Sequence, residues 1–174
     1  MPSFDVDAFL DGYKGKTVSV VVCGRADLMG RHTDLERGLI DARTTSSDDF
    51  HSTEVGQLTA QIRELEQEMK AAEVTFTFAA LSHKAWQDLL AKHPPTKQQK
   101  AEHGIDHNPE TFPVAAIAAA AVEPSLSFDQ AEPIRGTLAF GEFEKVYRAV
   151  LEANAEVQGV PKSVLAAVIG DRPL

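Results

Sequence analysis

Apolar and polar positions recur along this chain with periods that change at recognisable places. The run "TVSVVVC", Thr17 to Cys23, is short and dense in β-branched residues, which predicts a strand. A helical period takes over near Asp27, with Leu28, Leu35 and Leu39 on one stripe. It runs out in "RTTSSDDFHST", a polar stretch rich in turn formers. In "EVGQLTAQIRELEQEMKAA" the residues Val55, Leu58, Ile62, Leu65 and Met69 fall at alternating three- and four-residue steps, the seam of a coiled coil. Ser52 or Thr53 is placed to cap that helix. Burying the seam is worth about 10 kcal/mol gross, before the entropy of ordering it is counted. It therefore needs a partner, and the nearest is the 27–42 segment folded back as an antiparallel hairpin. "VTFTFAAL" then alternates Val74, Phe76 and Phe78 against Thr75 and Thr77, a half-buried strand. A chain that climbs one helix and descends the next returns to its start, so the two strands should pair antiparallel. The expected unit is β-α-α-β over residues 16–81, its hairpin projecting about 25–30 Å.

Either side of this unit the pattern differs. Residues 1–15 read as a loose or docked arm with Phe4, Val6, Phe9 and Leu10 as anchors. From residue 82 onward the signals are helical. Ser82 can cap a helix carrying Trp86, Leu89 and Leu90, which Pro94 and Pro95 stop. A polar loop, "TKQQKAEHGIDHN", leads to "FPVAAIAAAAVEP", apolar on every side and so a central helix, with Thr111 as cap and Pro113 in the first turn. "SFDQ" at 127–130 has capping-box spacing and starts a short helix that Pro133 should kink or delay. Phe143, Val146, Tyr147, Val150, Leu151 and Asn154 form an amphipathic stripe, and Val164, Leu165, Val168 and Ile169 close a last helix. The predicted fold is α+β: a two-stranded β unit with a helical hairpin, then an all-α bundle of four or five short helices over 82–174. Trp86 and Phe143 are expected in the bundle core. There is no internal repeat.

Composition narrows the function. A hydrophobic content of 43% supports a real core, and the formal net charge is −9. Both halves of the chain are acidic, which leaves no broad surface for a phosphate backbone; no nucleic-acid partner is expected. The basic stretch "KHPPTKQQK" reads as a solvated loop. Cys23 is the only cysteine, so no intrachain disulfide forms, and its β-branched surroundings make it a small buried hydrophobe rather than a nucleophile. "MPSFDVDAFL" lacks the pattern of a signal peptide. The longest apolar run, Val114 to Val122, falls far short of the ~20 residues that span a bilayer, and no membrane partner is expected.

Candidate chemistry is sparse. His103, Asp106 and His107 in "HGIDH" are metal-ligand types, but Gly104 and the following Asn-Pro favour a loop, and no further Cys or His joins the set by spacing. "CGRADLMGRH" has glycines after a strand but matches neither phosphate-binding fingerprint. No nucleophile elbow or Ser/Cys–His signature is present. The expectation is a protein that is not an enzyme and uses no metal or cofactor.

Taken together, "LAKHPP", "NPETFPVAAIAAAAVEP" and "LAFGEFEKVYRAVLEANAEVQGVPKS", preceded by a strand, a charged helical hairpin and "VTFTF", resemble the tail assembly chaperones of long-tailed actinobacteriophages over roughly residues 16–165. The matching motifs are turn prolines, core aromatics and helix caps, so no catalytic residue is carried over. The resemblance implies a non-catalytic protein of the host cell cytoplasm, absent from the mature virion. It would bind the tape measure protein and assist assembly of the tail tube protein around it. Such families usually make a longer frameshifted product as well. The alternatives are a structural virion protein, either a minor tail or a connector component, and a small metal-dependent enzyme built on "HGIDH". The residues offered for client binding or self-association are Val55, Leu58, Ile62, Leu65, Met69 and Phe76.

Overall fold

The computed structural model describes residues 5–44 and 49–155, without the side chains at 49–52 and 103. Asp5 opens the chain's first helix, α1 (Val6–Gly12), its carboxylate accepting from the N–H groups of Asp7 and Ala8 at 3.0 and 3.1 Å. Strand β1 (Thr17–Cys23) follows, then a 3-10 turn (Ala26–Leu28) and helices α2 (Met29–Thr44) and α3 (Asp49–Ala71). Strand β2 (Glu73–Ala79) precedes α4 (His83–Lys92), α5 (Lys97–His103) and α6 (Phe112–Ala120). Strand β3 (Ala121–Glu123), α7 (Phe128–Thr137) and α8 (Phe140–Ala155) complete it. The protein is α+β, with eight α-helices among the described residues and one antiparallel sheet ordered β1-β2-β3.

The period-two pattern decides the faces of the sheet. Val18, Val20 and Val22 stand opposite Phe78, Phe76 and Val74, all on the face turned toward the helices. The other face is polar, and the Ser19 and Thr77 hydroxyls meet there at 2.9 Å. Against the inner face lie α8 and α6. Helix α6 is the centre of the molecule: Phe112, Val114, Ala116, Ile117 and Ala120 are fully buried among Phe78, Ala131, Val146 and Val150. Its alanines let neighbouring backbones approach closely, as do Ala149 and Ala153 on α8. Trp86 meets Phe112 edge to face at 5.4 Å and is half-buried, while Phe143 is buried. Asn154 ties the last turn of α8 to the chain after β2, its Oδ1 accepting from the Leu81 N–H at 2.7 Å.

Several expectations need correcting. The sheet has three strands, not two, and the third comes from the C-terminal half, which is therefore not all-α. The alanine-rich helix stops at Ala120; Ala121 and Glu123 then pair with Phe78 and Thr77 of β2. Two forces act there: β2 would otherwise leave one edge unpaired, and Pro124 pushes Glu123 to an extended conformation. Thr111 does not cap α6, because its hydroxyl meets His93 Nδ1 at 3.0 Å; the turn is held by Asn108, whose side chain accepts from the Glu110 N–H. The polar loop before α6 contains helix α5, started by a capping box between Thr96 and Gln99 and ended by Gly104 at φ 61°. The N-terminal arm is helical at α1. Ser52 and Thr53 lie inside α3, not at its cap, because that helix begins at Asp49. Pro133 sits within α7, whose capping box of Ser127 and Gln130 forms as expected. Phe4 and the last helix expected around Val164, Leu165, Val168 and Ile169 lie outside the described residues.

Candidate functional site

Helix α2 and the turn before it meet α3 through pairs that run from Arg25–Glu68 at the base, through His32–Glu66 at 3.4 Å, to Gly38 against Leu58. The seam faces inward in this contact. Ile62 and Leu65 are buried, and Val55, Leu58 and Met69 are partly buried. Arg25 anchors the base, holding Asp27 at 3.0 Å as well as Glu68; its hydrogen bond keeps the Asp27 carboxyl below the usual carboxylate range. Cys23 is half-buried there, its thiol donating to the Met69 carbonyl at 3.4 Å.

Beyond the seam, two surfaces stand out. One is the edge of β1. Ala80 donates to the Lys16 carbonyl and Gly24 to the Ala72 carbonyl, both at 2.8 Å, so the even-numbered residues of this strand exchange backbone bonds with β2. The N–H and C=O groups of Thr17, Ser19, Val21 and Cys23 consequently point away from β2. No backbone bond to them occurs among the described residues. The side chains of Thr17, Ser19 and Val21 are exposed, and the strand carries no lysine or proline that would guard its edge.

The other surface is an apolar groove at the opposite end of the inner sheet face. Val22 of β1 and Gly24 just past it, Val74 and Phe76 of β2, Ile134 of α7 and Leu138 at its end line about 290 Å³. Helix α7 is too short to close it, and Val74 remains 47% exposed although its side chain is on the core face. Of the sequence-predicted binding residues, Phe76 alone lines this groove. Leu138 continues the surface to Phe140, which is 82% exposed, and to a rim carrying Arg135, Lys145 and Arg148 with Glu144. Periodicity could not find this surface: Phe140 continues the stripe of α8, three residues before Phe143 and seven before Tyr147, and so reads as a core position although it is exposed, while Leu138 lies between two helices.

The "HGIDH" residues are placed differently. His107 Nδ1 meets Asp106 Oδ1 at 2.8 Å and its ring lies 4.4 Å from that of Phe112. The His107 hydrogen bond lowers the Asp106 pKa. His103 is the last residue of α5, and its side chain lies outside the described set. Among the described residues no three His, Cys, Asp or Glu side chains gather as a metal site. Nor is any helix among them long and apolar enough to cross a membrane. Comparison with protein-family models, with curated proteins and with solved structures finds no match to the chain.

Proposed function

We propose that the protein is a phage tail assembly chaperone that holds extended segments of the tape measure protein while tail tube subunits assemble around them, without catalysing a reaction. The observation that carries this reading is the edge of β1, which no described residue covers and four residues of which turn N–H and C=O groups outward. An edge of this kind accepts an added strand through main-chain hydrogen bonds, which suits a client held at many places with little regard to sequence. In this reading β1, α2, α3 and β2 act as a β-α-α-β unit whose helical pair projects from the body. The seam Val55, Leu58, Ile62, Leu65 and Met69 then keeps the projection straight, and the client takes the strand edge. The protein acts in the host cytoplasm and leaves before the virion matures.

The test is co-expression with the cognate tape measure protein, comparing wild type with Val21→Pro and Val21→Lys. The Val21 N–H points away from β2, so proline there removes no β1–β2 bond, and lysine blunts the edge without entering the core. Both variants should fold normally and leave the client insoluble. A client that stays as soluble as with wild type overturns the reading. Mass spectrometry of purified particles separates a chaperone, which is absent, from a structural virion protein, which is present.

A further inference from the structure

The outer edge of β1 is complementary to itself. Its outward backbone groups belong to Thr17, Ser19, Val21 and Cys23, and Val20 stands midway among them. Across an antiparallel pair, residues that exchange both backbone bonds face one another directly. With a two-fold axis at Val20, a second β1 meets that condition along its whole length. Thr17 then faces Cys23 of the second copy, Ser19 faces Val21, and the two reverse pairs repeat them. Every outward N–H and C=O of both strands finds a partner. Sliding the strands by two residues either way leaves Thr17 or Cys23 unpaired.

The side chains suit the same arrangement. Facing residues share a side of the sheet, so Val20 meets Val20 and Val18 meets Val22 on the side turned toward the helices. Val18 and Val20 are only partly buried in the single copy, and the new strand covers them further. On the other side the exposed Thr17 and Ser19 meet Cys23 and Val21. None of the residues from Thr17 to Cys23 is charged, so a strand laid against its own copy meets no like charge, although the chain carries a net charge of −9. Just before the strand Lys16 faces Gly24 of the second copy, and its ammonium is already paired with Glu152 at 3.3 Å. Edges that must stay single are guarded by lysine, proline or a bulge; β1 has none of these, and its register with β2 is regular from end to end.

We propose that, in the absence of a client, β1 pairs antiparallel with β1 of a second copy about a two-fold axis at Val20, joining the two three-stranded sheets edge to edge. The contact is isologous and closes on itself, so it stops at a dimer. It is one strand wide, at the small end of interface sizes, and is therefore reversible. The proposal uses the edge on which the chaperone reading rests but needs no client. Where both hold, client and second copy compete for one row of backbone groups. The dimer then keeps the edge from pairing at random until a client displaces it.

Sedimentation of the full chain without client, over a range of concentrations, should show monomer passing to dimer and to nothing larger. Val21→Pro and Val21→Lys should each weaken dimerisation by about tenfold or more. Dilute samples of both should keep the wild-type circular dichroism melt, because the Val21 N–H points away from β2 and its side chain is exposed. Disulfide trapping reads the register. With Cys23→Ser removing the native thiol, Val20→Cys should link two copies on mild oxidation, since residues facing at the axis stand about 4.5 Å apart at Cα. Ser19→Cys in the same background faces Val21 instead of itself and should link about tenfold more slowly. A wild type that stays monomeric, as an edge covered by another part of the same chain would give, overturns the proposal. So do assemblies that grow past the dimer, Val21 variants that dimerise like wild type, Val20→Cys copies that do not link, or Ser19→Cys linking as fast as Val20→Cys. A dimer that behaves as described but leaves the tape measure protein insoluble counts against the chaperone reading alone. A client kept soluble by a protein that never dimerises counts against this proposal alone.

Discussion

The α2–α3 pair and the body around α6 are both helical, but they are built in opposite ways. Helix α3 has one apolar seam and spends it on a single neighbour; among its described side chains Ile62 and Leu65 are buried, and Ala42 is the buried residue of α2. Helix α6 has no seam. Seven of its nine residues are buried, enclosed by the sheet, α4, α7 and α8. A periodic seam names its partner type, whereas an all-apolar helix says only that it is surrounded. The first arrangement gives a thin two-helix contact that can open by itself, and the second ties every element of the body to one core.

Truncation should expose this difference most strongly. Phe112→Ala, at 1% exposure in the body, should cost about 3–5 kcal/mol in denaturant unfolding and loosen the whole sheet-and-helix body. Ile62→Ala should cost about 2 kcal/mol, near the low end for such a change, because a two-helix contact collapses around the gap. Hydrogen exchange should then show α2 and α3 opening while α6 and α8 stay protected. If Ile62→Ala loosens both regions equally, the division between them is wrong.

A smaller effect is expected at the join between sheet and helix. Asn154→Ala leaves the Leu81 N–H without its acceptor and should cost about 1–2 kcal/mol, with faster exchange of that amide. Asn154→Asp keeps an acceptor and should recover most of the loss.

The two regions should also differ in pH response. Burial pushes the Tyr147 phenol up to about 12, helped by Glu144 and Asp106. A group whose pKa is raised on folding contributes stability that is whole below its unfolded value near 10 and is lost as pH climbs toward 12. Alkaline unfolding should therefore begin in the body, and absorbance titration of wild type against Tyr147→Phe should find the missing phenolate step near 12. At the base of the hairpin the Arg25 hydrogen bond lowers the Asp27 pKa, so its contribution is present above the ordinary carboxyl range and fades as pH falls through the lowered value. Acid should loosen the Arg25–Asp27 contact as pH falls through that lowered value.

Much of the local structure could be read from residues alone. The valine run of β1, the Thr–Phe alternation of β2, the seam of α3 and the stripe of α8 all follow from side-chain period. Helix α5 was legible too, since Thr96 and Gln99 have capping-box spacing and Gly104 supplies the left-handed end, but a polar composition hides it behind the expectation of a loop. Helix α1 is masked in the same way by its acidic, glycine-containing surroundings, although Asp5 caps it. The candidate binding surfaces were less accessible. Of the residues singled out beforehand, Phe76 lines the groove and the seam residues turn inward to α2.

By itself the sequence determined the strands β1 and β2, the helices α2, α3, α4, α7 and α8, and that "FPVAAIAAAA" lies at the centre of the molecule. These are local properties, set by dihedral preference and by the spacing of side chains along one element. Tertiary structure decided that Ala121–Glu123 leaves the helix to complete the sheet, that no described residue pairs with the outer backbone groups of β1, and that α7 stops short of covering Val74. Strand pairing and groove closure depend on backbone groups and element lengths brought together from distant parts of the chain. Side-chain pattern does not encode those distances, so they appear only when the chain is folded.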